Sequence, residues 1–229
     1  LHDILDHRSF PAWMKRFETY YNQEENALNI KRERELKMKD VLVKLSELTE
    51  GKACLVTDVG QHQMVAMQHC KFEKGGQHIT SGGLGTMGFS LPAAFGAKIA
   101  NPDKQVIAVM GDGGFQMNLQ ELATVVQENV ALKVMVLNNS FLGMVRQWQE
   151  MFFDRRYAQT KMNNPDFVSV AESFGFKSFS VTCKEELKDK MNKWLNEEGP
   201  SFIEVKVVKE DNVFPMVPTG ASVSEVRLN

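Results

Sequence analysis

The sequence predicts an α/β fold, an open and mainly parallel sheet with helices on both faces, and three observations predict it. Four strand-sized apolar runs, ACLVTD, QVIAVMGD, LKVMVLNN and SFIEVKVV, follow one another from Gly51 onward. Amphipathic stretches of helical period separate them, and parallel neighbours need such crossover helices. With 229 residues, 43% of them hydrophobic and 24% charged, the chain can bury one large core and carry an extended arm.

Taken in order, residues 1–50 read as a linker arm and a leading helix. Phe10, Trp13, Phe17 and Tyr20 fall at near-helical spacing, and RERELKMKDVLVKLSEL continues as a helix. The cluster Lys31-Arg32-Glu33-Arg34 alternates in sign and reads as a solvated helix face. Residues 51–208 form the domain proper. Its first crossover helix starts after the glycines near Gly85 and runs through LPAAFGAKIA to the turn Asn101-Pro102-Asp103. A second covers NLQELATVVQENV, with Leu119, Leu122, Val125 and Val126 on one face. A third, DFVSVAESFG, opens at Asp166 after Pro165 and stops at Gly175. The last, KEELKDKMNKWLNEEG, ends at Gly199-Pro200, and residues 209–229 form a C-terminal tail.

Composition removes several function classes. No apolar run reaches the roughly 18 residues of a spanning helix, which predicts a soluble protein and no membrane partner. A net charge of −2 offers no basic footprint for nucleic acid. Cys54, Cys70 and Cys183 lie far apart without a C-x-x-C pair, so neither a disulfide framework nor a zinc site is expected, and a reducing compartment fits. The start at Leu1, without a secretory h-region, points to a piece of a longer polypeptide.

In open parallel sheets ligands bind at the carboxyl ends of the strands, so the residues closing each apolar run carry the argument. These are Asp58-Val59-Gly60-Gln61-His62, Gly111-Asp112-Gly113-Gly114 and Asn138-Asn139-Ser140-Phe141, all expected on one edge. A competing signal is the G-x-G-x-x-G spacing of Gly83, Gly85 and Gly88 in GGLGTMG, with Asp112 placed 24 residues on where a ribose-binding acid belongs. A helix follows, but the preceding GGQHITS holds no convincing buried strand, which a dinucleotide fingerprint requires. Asp112, between glycines at a strand end, instead suits a divalent cation whose phosphate partner faces helix amides. Asn139 adds a neutral amide oxygen, and a carbonyl of the following turn a further donor. Each residue alone is equally an ordinary cap or turn.

Together, GDGGFQMNLQELATVVQENVALKVMVLNN (Gly111–Asn139) resembles the thiamine diphosphate motif, which begins GDG and ends NN about thirty residues later. GQHQM, SGGLGTMGFSLPAA, NNSFLGMVRQWQ and NPDF extend the resemblance to acetohydroxyacid synthase, also called acetolactate synthase, in the C-terminal domain of its catalytic subunit. The resemblance implies the pyrophosphate-type domain of the thiamine diphosphate-binding fold. It implies Mg²⁺ held by Asp112, the Asn139 side chain and the backbone oxygen of Phe141. The cofactor contacts it implies are Gln61, His62, Gly85, Thr86, Met87, Asp112, Gly113, Gly114, Asn139, Ser140, Phe141, Leu142, Gly143 and Met144. Among these, Met87 would support the bent cofactor and the Gly85 carbonyl would orient its aminopyrimidine. Ser140 and Phe141 replace the acidic or polar residues of some relatives, a change that a backbone ligand tolerates.

For substrate, the resemblance implies pyruvate condensing with a second 2-oxo acid, pyruvate or 2-oxobutyrate, with loss of CO2, in branched-chain amino-acid biosynthesis. Met144, Val145 and Trp148 would favour the acceptor, an indole adding about 1 kcal/mol or more for one extra methylene. No catalytic residue is expected within this chain, because the family's activating glutamate sits in an N-terminal domain of the partner subunit. FAD in the full-length enzyme, a homodimer or higher homo-oligomer and a regulatory small subunit are implied likewise. The location implied is the cytoplasm in a bacterium and an organelle in a eukaryote. The 229 residues alone are expected to bind cofactor weakly and to be inert. Readings left open are a pyruvate oxidase or glyoxylate carboligase type of enzyme, a dinucleotide module and a non-catalytic scaffold.

Overall fold

A computed structural model describes residues 10–29, 35–73, 76–222 and 224–227. The charged cluster Lys31–Arg34 and the start of the leading helix lie outside the described residues. Two compact units are present: residues 35–212, and residues 1–34 with 213–229.

The larger unit contains six strands, β1 (Cys54–Thr57), β2 (Gln77–Thr80), β3 (Val106–Gly111), β4 (Lys133–Asn138), β5 (Lys177–Val181) and β6 (Ser201–Lys206). They form one sheet in the order β2-β1-β3-β4-β6-β5, every pairing parallel. The expected open sheet is therefore wholly parallel among the described residues. β1, β3, β4 and β6 are buried almost throughout, as strands covered on both faces must be. The edge strands β2 (QHIT) and β5 (KSFSV) are only half-buried and lack a strongly apolar run. That is why the apolar pattern does not reveal them.

Its helices are α2 (Met38–Leu48), α3 (Gln61–His69), α4 (Ser90–Ala100), α5 (Asp112–Asn118), α6 (Glu121–Gln127), α7 (Gly143–Phe152), α8 (Phe167–Ser173) and α9 (Lys184–Leu195); α1 (Pro11–Asn29) belongs to the smaller unit. One sheet face, with Val56, Ala108, Met110, Val134, Val136 and Phe202, packs on Leu91 and Ala94 of α4, Phe115 of α5, Leu122 and Val125 of α6, and Phe167 and Ala171 of α8. At its centre the Phe115 ring meets Phe167 edge-on at 5.2 Å and Phe202 at 5.4 Å. The opposite strand residues, Leu55, Ile107, Val109 and Ile203, are equally buried, and α3 and α9 cover that side with α2 packed against both. The compact body begins at Glu35, ahead of the composition change at Gly51, because Val41, Leu42 and Leu45 of α2 are completely buried in it.

One expected helix and two expected strand-end loops differ in detail. NLQELATVVQENV divides into the end of α5 and α6, with Leu119 and Gln120 between them. GQHQM opens a helix, α3, rather than a loop, and the GDGG turn is itself the first turn of α5. In the smaller unit, the spacing of Trp13, Phe17 and Tyr20 does produce a helix; Trp13 and Phe17 rings lie 5.3 Å apart and remain exposed. Its C-terminal part carries an antiparallel bridge between Met216 and Arg227.

Candidate functional site

Because β1, β3 and β4 are adjacent and parallel, their carboxyl ends bring Asp58, Asp112 and Asn139 to one edge, as the sequence predicts. A cleft opens there, lined by Gln61, His62, Met87, Asp112, Gly113, Gly114, Asn139, Phe141, Leu142, Gly143, Met144 and Val145. Met38 of α2 joins this lining, a contribution that no sequence motif marks. Four expected residues lie outside it. Gly85 and Thr86 are exposed on the loop after β2, Ser140 faces a neighbouring cavity, and the exposed Trp148 ring lies tilted against Phe152 at 5.1 Å.

Asp112 is 1% exposed and Asn139 3%. Asp112 Oδ1 accepts the Gly113 N–H at 3.0 Å, and Oδ2 accepts the Asn164 amide at 2.7 Å. Burial pushes the Asp112 carboxyl above its usual range, and the hydrogen bond from Asn164 pulls it part of the way back. No Lys or Arg pairs with it among the described ion pairs. Asn139 Oδ1 accepts the Phe141 N–H at 3.1 Å, while its Nδ2 donates to Gln61 Oε1 at 3.3 Å. Each of these oxygens retains a lone pair. A desolvated carboxylate without a cationic side chain, beside an amide oxygen and a turn carbonyl, suits Mg²⁺ better than a softer metal. Among the described residues no group of three or more His, Cys, Asp or Glu side chains converges.

Gln61 organises the other wall. Its Nε2 donates to Gln147 Oε1 at 3.0 Å and to the Asp211 backbone oxygen at 2.9 Å, while Oε1 holds Asn139. A Cβ on Gly143 would come within 2.1 Å of Gln61 Oε1, so only glycine lets α7 start this close. The His62 ring is buried, with Nε2 lacking any hydrogen-bond partner. Burial pushes its pKa down to about 4, against the opposing influence of Asp58, so the imidazole is neutral near pH 7. An unpartnered buried ring nitrogen on the cleft wall is a place for a polar ligand atom or water.

Asp58 plays a part that sequence reasoning missed. It is 1% exposed, and its Oδ1 accepts the N–H of Gly88 at 3.0 Å and of Val59 at 2.9 Å, while Oδ2 accepts the N–H of Ser90 at 2.9 Å. The amides opening α4 are thus taken by a carboxylate, where a dinucleotide pyrophosphate would have to sit. A strand, β2, does precede the glycines, but it is a half-exposed edge and not the buried strand that a dinucleotide fingerprint requires. The dinucleotide reading therefore fails because the helix N-terminus already holds an anion. Asp58 also explains Gly114, whose Cβ would stand 2.4 Å from Asp58 Oδ1. By holding Gly88, it fixes the loop that carries Met87 into the cleft.

A parallel α/β domain with a buried acid and amides at the carboxyl edge of its sheet has the build of a ligand-binding domain. The family model described as "Thiamine pyrophosphate enzyme, C-terminal TPP binding domain" matches residues 58–205, and the chain belongs to that family. Its relatives narrow the likeness to acetolactate synthase. It is 42% identical to "Acetolactate synthase large subunit" of Cyanidium caldarium, over 97% of this chain and 38% of the relative. It is 46% identical to "Acetolactate synthase isozyme 2 large subunit" of Escherichia coli, over 81% and 34% respectively. With "Acetolactate synthase catalytic subunit, mitochondrial" of Saccharomyces cerevisiae the identity is 41%, over 93% and 31%. The chain spans about a third of the length of these relatives.

Proposed function

We propose that this chain is the diphosphate- and Mg²⁺-binding domain of an acetolactate synthase, a transferase that joins pyruvate to a second 2-oxo acid with loss of CO2. The observation carrying this reading is the cleft in which Asp112, Asn139 and the Phe141 turn meet opposite Met87. Thiamine diphosphate, when bound, supplies the nucleophilic carbon and the electron sink for the decarboxylation and condensation. Asp112, the Asn139 side-chain oxygen and the Phe141 carbonyl would hold Mg²⁺, with water and diphosphate completing an octahedron. Gly113, Gly114, Gln61 and His62 would lie along the phosphates, the glycines leaving room for close approach. Met87 would supply an apolar support for the cofactor, with Gly85 and Thr86 on the same loop. Leu142, Gly143 and Met144 would exclude water from the middle of the cleft, while Val145 would face the second 2-oxo acid, with Trp148 one turn further along α7.

The reading extends to FAD in the full-length enzyme, to a homodimer whose partner completes the pyrimidine end, and to a regulatory small subunit. A cytoplasmic location in a bacterium, or an organellar one in a eukaryote, goes with it. Among the described residues no helix is long and apolar enough to cross a membrane. Calorimetric titration of the full-length protein with thiamine diphosphate and Mg²⁺, and separately with NAD, tests the proposal in wild type and Asp112→Ala. Mg²⁺-dependent cofactor binding that disappears in Asp112→Ala is expected. NAD binding indifferent to Asp112 and Mg²⁺ would sink the reading.

A further inference from the structure

We infer that Asn164 is a positioning residue for the metal site, holding the Asp112 carboxylate to one-oxygen coordination and thereby selecting Mg²⁺ over larger cations. This rests on the reading of Asp112 as a Mg²⁺ ligand. The Asn164 amide makes three hydrogen bonds. Its Nδ2 donates to Asp112 Oδ2 at 2.7 Å and to Asn138 Oδ1 at 3.0 Å, and its Oδ1 accepts from Gln116 Nε2 at 3.0 Å. The orientation is forced, because a carbonyl turned toward an ionised carboxylate and a second amide oxygen would be repelled by both. Asn138 Oδ1 in turn accepts the Ser140 N–H at 3.0 Å, so one side chain ties the Asp112 strand end to the turn that presents Asn139 and Phe141.

The loop carrying Asn164 is itself fastened to that turn. Leu142 N–H donates to the Thr160 oxygen at 2.8 Å and Met162 N–H to the Ser140 oxygen at 2.9 Å, around an antiparallel bridge between Phe141 and Lys161. Asn164 therefore sits at a defined height beside Asp112. With one lone pair of Oδ2 taken by Asn164 at 2.7 Å and Oδ1 steadied by Gly113, the carboxylate is held against turning both oxygens equally toward one cation. Mg²⁺ demands an octahedron of single oxygens, whereas Ca²⁺ readily accepts bidentate carboxylates and higher coordination. Releasing Oδ2 relaxes that distinction. Outer partners of metal ligands govern affinity in this way generally.

The test uses the full-length protein with Mg²⁺, Ca²⁺ and thiamine diphosphate, read by calorimetry of metal binding at saturating cofactor and by electron paramagnetic resonance of Mn²⁺ in the same site. Wild type and Asp112→Ala are measured first. Loss of metal-dependent cofactor binding in Asp112→Ala confirms the site, and its persistence overturns both the site and this inference. Asn164→Ala is then expected to weaken Mg²⁺ about tenfold, to weaken Ca²⁺ less, and to broaden the Mn²⁺ signal. Asn164→Ser keeps a small polar group in the loop but falls short of Asp112, and the same shift is expected; it serves if the alanine variant does not fold. With the site confirmed, unchanged Mg²⁺ affinity and an unchanged Mg²⁺-to-Ca²⁺ ratio in a folded variant would overturn the inference alone.

Discussion

Asp58 and His62 stand four residues apart at the end of β1, and they respond to substitution for different reasons. Asp58 satisfies three backbone N–H groups with one buried carboxylate. Charge-assisted bonds of this kind contribute about 1.5–3 kcal/mol each, and orphaned donors add a cost. Asp58→Ala is therefore expected to lower unfolding free energy by roughly 3 kcal/mol or more in urea titration, and a loss below 1 kcal/mol would contradict this account. His62 contributes to acid sensitivity. Unfolded, its imidazole takes up a proton near 6.5; buried, only at about 4. Between those values the unfolded chain binds more protons, so stability declines as pH falls through the window and this contribution levels off below it. In His62→Gln that part of the pH profile should flatten; an identical slope would assign it elsewhere. Both residues stand in the quoted segment after β1, Asp58 in the turn and His62 in α3, yet only His62 carries a motif. Nothing in the sequence announces that the Asp58 carboxylate turns away from solvent toward Gly88 and Ser90, because that depends on where β2 and its loop pack.

At the level of elements, the short helix α8 owes its stability to one buried face and a cap. Asp166, read from the sequence as the opening of α8, accepts Ser169 N–H at 3.1 Å and Ser169 Oγ–H at 2.9 Å. Asp166→Ala should cost about 1 kcal/mol, measurable as a shifted denaturation midpoint without change of slope. Phe115 of α5 is a heavier loss, since it joins α8 and β6 at the core centre; Phe115→Ala is expected to cost about 3–5 kcal/mol. The four central strands were legible because both of their faces are covered and their sequences are largely apolar. β2 and β5 were not, since an edge strand with one neighbour needs no such run. α3 escaped notice as well: GQHQMVAMQH has little amphipathic contrast, and tertiary packing of Val65 and Ala66 makes the helix.

For the molecule as a whole, ligand linkage provides the broadest check. Thiamine diphosphate with Mg²⁺, at a hundredfold excess over its dissociation constant, should stabilise the folded protein by about 2.7 kcal/mol. Thermal unfolding should rise by roughly 5 °C or more. Asp112→Ala should abolish the rise, and EDTA should abolish it in wild type; a rise surviving both would remove the metal from the account. The sequence by itself determined the fold class, the four central strands, and the edge on which Asp112 and Asn139 meet, because period, strand-end position and motif spacing are local properties of the chain. Tertiary structure decided what those residues do to one another. It placed Asp58 across the start of α4, Asn164 against Asp112, and Gln61 between Asn139, Gln147 and the backbone of Asp211. These contacts join residues from 32 to 150 positions apart in the chain. No local pattern encodes such pairs, since their geometry exists only once the parallel sheet has brought its strand ends together.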